Sequence, residues 1–226
     1  FDQQRHALQG RGAVGLPSAN HDFQRPRVGD REIDDLRVIL TFLLSWPGVP
    51  FVYYGDEIGM RFLDLPSKEG GYQRTGTRTP MQWDRSTNSG FSSAPSEQLY
   101  LPVDPAPDRP DVASQRADPD SLWQQVRRLI ELRQTEPALA TSAALRILSS
   151  GTHQPLVFVR EQADARLLIA LAPAAGEVNF ELPPDCATEE ALSAHRARLE
   201  TEAGREYLLL DGPAAGIWRL ASAAGT

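Results

Sequence analysis

Two short apolar runs, residues 13–19 and 49–54, flank one amphipathic stretch, and each run ends in a cluster of polar residues. That spacing holds one helix between two strands, and a strand–helix–strand unit of this kind gives a parallel pair with a right-handed crossover. The first run, small and apolar, suits a strand covered on both faces. Gly29-Asp30 can cap a helix over 31–45, with Ile33, Leu36, Leu40, Leu43 and Leu44 on one face. Glu32, Asp34 and Asp35 fall in its first turns, at the positive end of the helix dipole, and Pro47-Gly48 stops it. Asn20-His21-Asp22 and Arg25 follow the first run, and Gly55-Asp56-Glu57 follows the second. Polar groups at the C-terminal ends of parallel strands are where an α/β barrel carries its chemistry.

The rest of the chain divides by pattern. Residues 1–9 read as the tail of a helix closed by Gly10. Residues 55–117 are rich in Gly, Pro, Ser and Asp and lack sustained periodicity. Loops of that length are uncommon in compact proteins and tend to be functional, so this one is expected to fold over a barrel mouth. Asp118-Pro119-Asp120 signals a helix start, and Leu122, Trp123, Val126, Leu129 and Ile130 give its apolar face to about residue 135. Glu136-Pro137 ends it. Beyond 138 come short alternating or β-branched runs at 145–148, 156–160, 167–171, 178–182, 207–210 and 217–220, the pattern of an antiparallel sandwich. Residues 187–203, rich in Ala, Glu, Leu and Arg, read as a helical insertion within it.

Bulk properties narrow the class. The chain has 226 residues, fewer than the roughly 250 of a barrel alone, so it reads as the C-terminal part of something longer. It begins at Phe1 rather than Met, in keeping with a processed or truncated product. A net charge of −7 and a pI near 5.2 argue against a nucleic-acid partner, which needs clustered cations; neutral sugars fit better. Lys68 is the only lysine, a compositional bias rather than a functional mark. Cys186 stands alone, so no intrachain disulfide forms and the redox compartment stays open. The longest apolar stretch, 36–46, contains Arg37 and Thr41 and falls short of the roughly 18 residues of a membrane span, so no membrane partner is expected. The surroundings of Asp64, Asp84 and Asp104 lack calcium-loop spacing, and His6, His21, His153 and His195 are scattered. No metal or cofactor is expected in this chain.

The run Asn20-His21-Asp22 with Arg25, then Gly48-Val49-Pro50-Phe51-Val52-Tyr53-Tyr54-Gly55-Asp56-Glu57, resembles the α-amylase family of glycoside hydrolases and transglycosidases. Gly76-Thr77-Arg78-Thr79-Pro80-Met81-Gln82-Trp83-Asp84, followed by Asn88-Ser89-Gly90-Phe91-Ser92, is similar to the branch acting on short α-glucosides. The resemblance implies the C-terminal portion of a (β/α)₈ TIM barrel over 1–138, with strands 7 and 8, helices 7 and 8 and the long loop 55–117. An antiparallel β-sandwich domain over 139–226 would follow. It implies retaining hydrolysis, in which one carboxylate is the nucleophile and another protonates the leaving oxygen through an oxocarbenium-like state. Both would lie upstream of Phe1, in the same gene product or a second chain, where calcium is left open.

Within this chain the resemblance makes Asp22 the third carboxylate, which stabilises developing positive charge. His21, Asn20, Arg25, Tyr54 and Arg78 are the expected substrate-binding residues around it. Asp56-Glu57 is expected to be a structural loop lining the pocket rather than an acid and base pair. Tyr54, Tyr72, Trp83 and Phe91 could offer faces on which sugar rings stack. Two competing functions remain: glucosyl transfer, including maltose-to-trehalose isomerisation, and a non-catalytic barrel used for partner binding. Retention of Asn20-His21-Asp22 with Arg25 speaks against the second. The isolated chain is expected to be inactive.

Overall fold

Both apolar runs form strands, and the stretch between them is a helix. A computed structural model of the chain describes residues 2–8, 11–68, 70 and 73–221. In order it contains α1 (Asp2–Ala7), β1 (Gly15–Pro17), α2 (Ile33–Ser45), β2 (Val49–Phe51), α3 (Val112–Ala117), α4 (Leu122–Thr135), β3 (Ala144–Ser149), β4 (Leu156–Gln162), β5 (Ala165–Glu181), β6 (Thr188–Glu202) and β7 (Arg205–Leu220). Gly10, the expected stop of the first helix, lies outside the described residues. Contacts divide the chain into two compact units, Phe1–Gly15 with Arg37–Val49 and Arg128–Thr226, and Leu16–Leu36 with Pro50–Arg127.

β1 and β2 pair as a two-stranded sheet. Val49 N–H donates to Val14 O at 2.9 Å and Ser18 N–H to Phe51 O at 2.9 Å, so the bonds advance in one direction along both strands, as in a parallel pair. In the unit built on Leu16–Leu36 and Pro50–Arg127, the long connection after β2 is irregular, with short 3₁₀ turns and only α3 as a regular helix. Its core is Ile58, Met60 and Met81, packed by Val112 and Trp123. Asp111 caps α3, its Oδ1 accepting from Ser114 N–H at 2.7 Å. The helix expected from Asp118 begins later, at Leu122. Asp118 closes its own turn by accepting from Asp120 N–H, and Ser121 Oγ accepts from Gln124 N–H at 3.2 Å.

In the other unit Arg133 donates to Leu44 O at 2.8 Å and Trp46 O at 3.2 Å, satisfying carbonyls at the C-terminal end of α2. The expected two-sheet sandwich is, among the described residues, one antiparallel sheet in the order β3-β4-β5-β7-β6. Four short strands expected over 167–171, 178–182, 207–210 and 217–220 merge into two long ones, β5 and β7. A register shift between Ala172 and Gly176 breaks the β5–β7 ladder, and residues on both sides of it share one core: Leu168, Ala170 and Trp218 with Leu208, Leu210, Val178 and Phe180.

The helical insertion expected over 187–203 is a strand. β6 pairs with β7 from Thr188 to Glu202. Its Ala, Glu and Arg content favours a helix locally, but alternate residues such as Ala197 and Leu199 pack on the core while their neighbours face out, the period of a strand. The turn joining β6 to β7 is Ala203-Gly204, with φ of 50° and 78°, the left-handed pair that a two-residue hairpin requires.

Candidate active site

Asp22 sits just beyond β1, where a local turn fixes its backbone. Asn20 Oδ1 accepts from Asp22 N–H at 2.8 Å and from Phe23 N–H at 3.0 Å, closing an Asx turn. The Asp22 carboxylate meets two guanidinium groups at one oxygen: Arg74 donates to Oδ1 at 2.8 Å and Arg78 at 3.2 Å. His21 Nε2 lies 3.2 Å from Oδ2, and Arg78 Nε donates to His21 O at 2.9 Å. The Asp22 side chain keeps 30% of its surface accessible and that of His21 68%, so this charged group is open to a ligand.

Arg74 and Arg78 reach Asp22 from more than fifty residues away along the chain. A 3₁₀ turn, Thr75–Thr77, separates them and sets both on one side of the loop. Gly76 within it lies against Leu63 so closely that a Cβ there would come within 1.7 Å of Leu63 O. The loop carrying both arginines is thereby seated on the backbone of Leu63, whose N–H donates to Gly76 O at 3.4 Å.

Arg25 has no exposed side-chain surface. It donates to Tyr54 O at 2.6 Å, Asp56 Oδ1 at 2.9 Å and Thr77 O at 2.9 Å, and its guanidinium stacks 4.8 Å from the Tyr54 ring centroid and 5.1 Å from that of Tyr53. Asp22 is not among its partners. Ser18 Oγ completes the cluster, donating to Asp56 Oδ2 at 2.6 Å and accepting from Tyr53 N–H at 2.9 Å. Burial pushes the Asp56 carboxyl up, while Ser18 and Arg25 pull it down. Burial, with Tyr54 beside it, pushes the Tyr53 phenol up to about 12. Arg25 therefore ties the segment after β1 to that after β2 and to the loop bearing Arg78.

Beside this cluster lies a cavity of about 440 Å³ lined by Tyr54, Glu57, Arg78, Trp83, Phe91 and Tyr100, among others. The hydroxyl of Tyr54, one of the lining residues, donates to Thr79 O at 2.8 Å. Glu57 Oε2 is buried and has no hydrogen-bond partner, and desolvation pushes this carboxyl up. Tyr72 lies outside the described residues. Among those described, no group of three or more His, Cys, Asp and Glu is disposed to hold a metal ion, and no helix is long and apolar enough to cross a membrane. Asn20, His21, Asp22 and Arg78 come together as one site, Tyr54 and Arg78 share the cavity, and Arg25 is interior. Sequence reading missed Arg74 at the carboxylate and Tyr100 at the cavity. The one signal for Arg74 was its four-residue spacing from Arg78.

The chain is 35% identical over 161 residues to a trehalose synthase of Thermus thermophilus, a match covering 69% of this chain and 16% of that protein. It is 31% identical over 160 residues to an oligo-1,6-glucosidase of Parageobacillus thermoglucosidasius, covering 56% and 28%. A crystal structure of a MutB variant soaked with trehalulose shares the fold, with a TM-score of 0.84 at 24% identity over 97% of this chain and 45% of that one. An isomaltulose synthase variant of Erwinia rhapontici in complex with D-glucose gives 0.82 at 21%. The chain thus spans less than half the length of these relatives. Residues 2–142 match the family model described as the alpha-amylase catalytic domain, and the chain belongs to the α-amylase family.

Proposed function

We propose that this chain supplies one side of the active site of an enzyme that hydrolyses α-glucosidic bonds in short oligosaccharides with retention of configuration. Asp22 acts as the third carboxylate. The nucleophile and the acid/base come from upstream barrel strands, in the same gene product or a second chain. On this reading residues 1–138 belong to the catalytic barrel and 139–226 to an appended β-domain.

The observation that carries the reading is the setting of Asp22: a carboxylate fixed by a backbone turn and by Arg74 and Arg78 at Oδ1, yet accessible over 30% of its side chain. A fixed anion of this kind stabilises a sugar turning cationic without having to reorganise, an effect worth about 3 to 4 kcal/mol, or 10² to 10³ in rate. Arg78 and His21 are the nearest donors for hydroxyls of a sugar held there. Asn20 acts through the turn, Tyr54 through its ring, and Arg25 by holding the loops that carry the others. In a protein of full family length, Asp22→Asn keeps the shape and removes the charge, so kcat on a nitrophenyl α-glucoside should fall 10²- to 10³-fold. Unchanged turnover would remove the proposal.

A second reading, glucosyl transfer with maltose converted to trehalose, is favoured by the match to a trehalose synthase at 35% identity. The chemistry at Asp22 is the same, and the difference is whether water or a sugar hydroxyl attacks the glucosyl-enzyme. Incubation with maltose decides: glucose marks hydrolysis, trehalose marks transfer.

A further inference from the structure

Between Trp83 and Phe91, two of the residues lining the cavity, the backbone takes a hand that L-residues avoid. Asn88, Ser89 and Gly90 follow one another in the left-handed region, with φ of 54°, 55° and 69°. Glycine adopts that region freely and asparagine tolerates it, whereas serine enters it only under constraint. Strain of this kind persists where the surroundings over-determine it, and it gathers at functional sites. At Gly90 space is closed as well, since a Cβ there would lie 2.8 and 2.9 Å from the two carboxylate oxygens of Asp84.

Asn88 supplies the constraint. Its Nδ2 donates to Ser92 O at 3.0 Å and to Ala94 O at 2.7 Å, and its Oδ1 accepts from Ser96 Oγ at 2.6 Å. The residue is buried, so water competes poorly for these bonds. Along the backbone, Asn88 O accepts from Phe91 N–H at 3.1 Å, and Ser89 O accepts from Trp83 N–H at 2.9 Å and Asp84 N–H at 3.3 Å. Arg109 Nε adds a bond to Ser89 Oγ at 3.2 Å. One left-handed turn thus grips the main chain of both aromatic residues, while 50% of Trp83 and 51% of Phe91 stays exposed.

We propose that Asn88 is a positioning residue, locking the turn that sets the Trp83 and Phe91 rings at the cavity without lining that cavity itself. The placement of the rings stands on the geometry; its use in turnover rests on the proposed function. The test is Asn88→Gly, which keeps the freedom for a positive φ and removes the side-chain bonds. In the 226-residue chain, acrylamide quenching of Trp83 is read, with and without that substitution, as the difference from a Trp83→Phe background. Because the residue is half exposed, release of its ring should raise the quenching constant by up to about twofold. A purely structural role would lower the urea midpoint and leave that constant unmoved, which overturns the proposal. In a protein of full family length, KM for maltose should rise about tenfold with kcat nearly unchanged, the mark of contacts made equally in ground and transition states. An unchanged KM with the ring released also overturns it. Should Asn88→Gly show no cooperative urea transition, Ser96→Ala removes one of the three bonds from an exposed position. A smaller rise in quenching is then expected, and no rise overturns the proposal. Asp22→Asn acts on kcat instead, so its failure strikes the catalytic reading and leaves the role of Asn88 standing.

Discussion

At the scale of single residues, the adjacent carboxylates of Asp56 and Glu57 have different fates. Asp56 has Arg25 and Ser18; Glu57 Oε2 has no partner. Removing one member of a buried ion pair leaves the other charge uncompensated and costs about 3–5 kcal/mol. Arg25→Met should therefore lower unfolding stability by that amount in a urea titration, and adding Asp56→Leu should recover part of it. Glu57 makes a pH-dependent prediction. Burial raises its carboxyl above the ordinary value of 4.5, so between the unfolded and folded pKa the native state holds more protons and stability falls as pH rises. Glu57→Gln removes that loss: it should melt above the wild type at pH 7, with the gap closing below about pH 4. An equal gap at both pH values would sink the idea. Asn20 and Asp22 were legible in the sequence because their turn is local. Glu57 was read as pocket lining, but its unpaired oxygen is a property of the fold around it and has no local signature.

At the scale of elements, the strand–helix–strand unit was readable because its periodicity and stop signals act over a few residues. The loop after β2 was not, since Arg74 lies 52 positions from Asp22 and its arrival depends on where the chain folds back on Leu63. Gly76 makes that dependence testable. A methyl group at this position meets backbone rather than a flexible side chain, so Gly76→Ala must shift the turn between Arg74 and Arg78. In the family-length protein it should lower kcat at least tenfold, with the β-sheet circular dichroism signal retained. β6 misled the sequence reading for the opposite reason. Its helix-favouring composition is local, whereas the β7 residues that hold it as a strand come after a turn whose Ala203-Gly204 signal is brief.

At the scale of the whole molecule, the chain belongs to a family of enzymes yet spans less than half the length of the relatives compared with it. On the proposed function Asp22 is neither the nucleophile nor the acid, so the purified chain should release no nitrophenol from a nitrophenyl α-glucoside. Release above a no-protein control would contradict the assignment of those groups to upstream strands. Val49 and Phe51 of β2 are exposed on the two-stranded sheet. One last property follows from Lys68, the sole lysine, resting on the Tyr100 ring at the cavity rim. Within these 226 residues an amine-directed reagent meets one ε-amine, that of Lys68, besides the terminal α-amine, so a fluorophore on this side chain lies next to Tyr100.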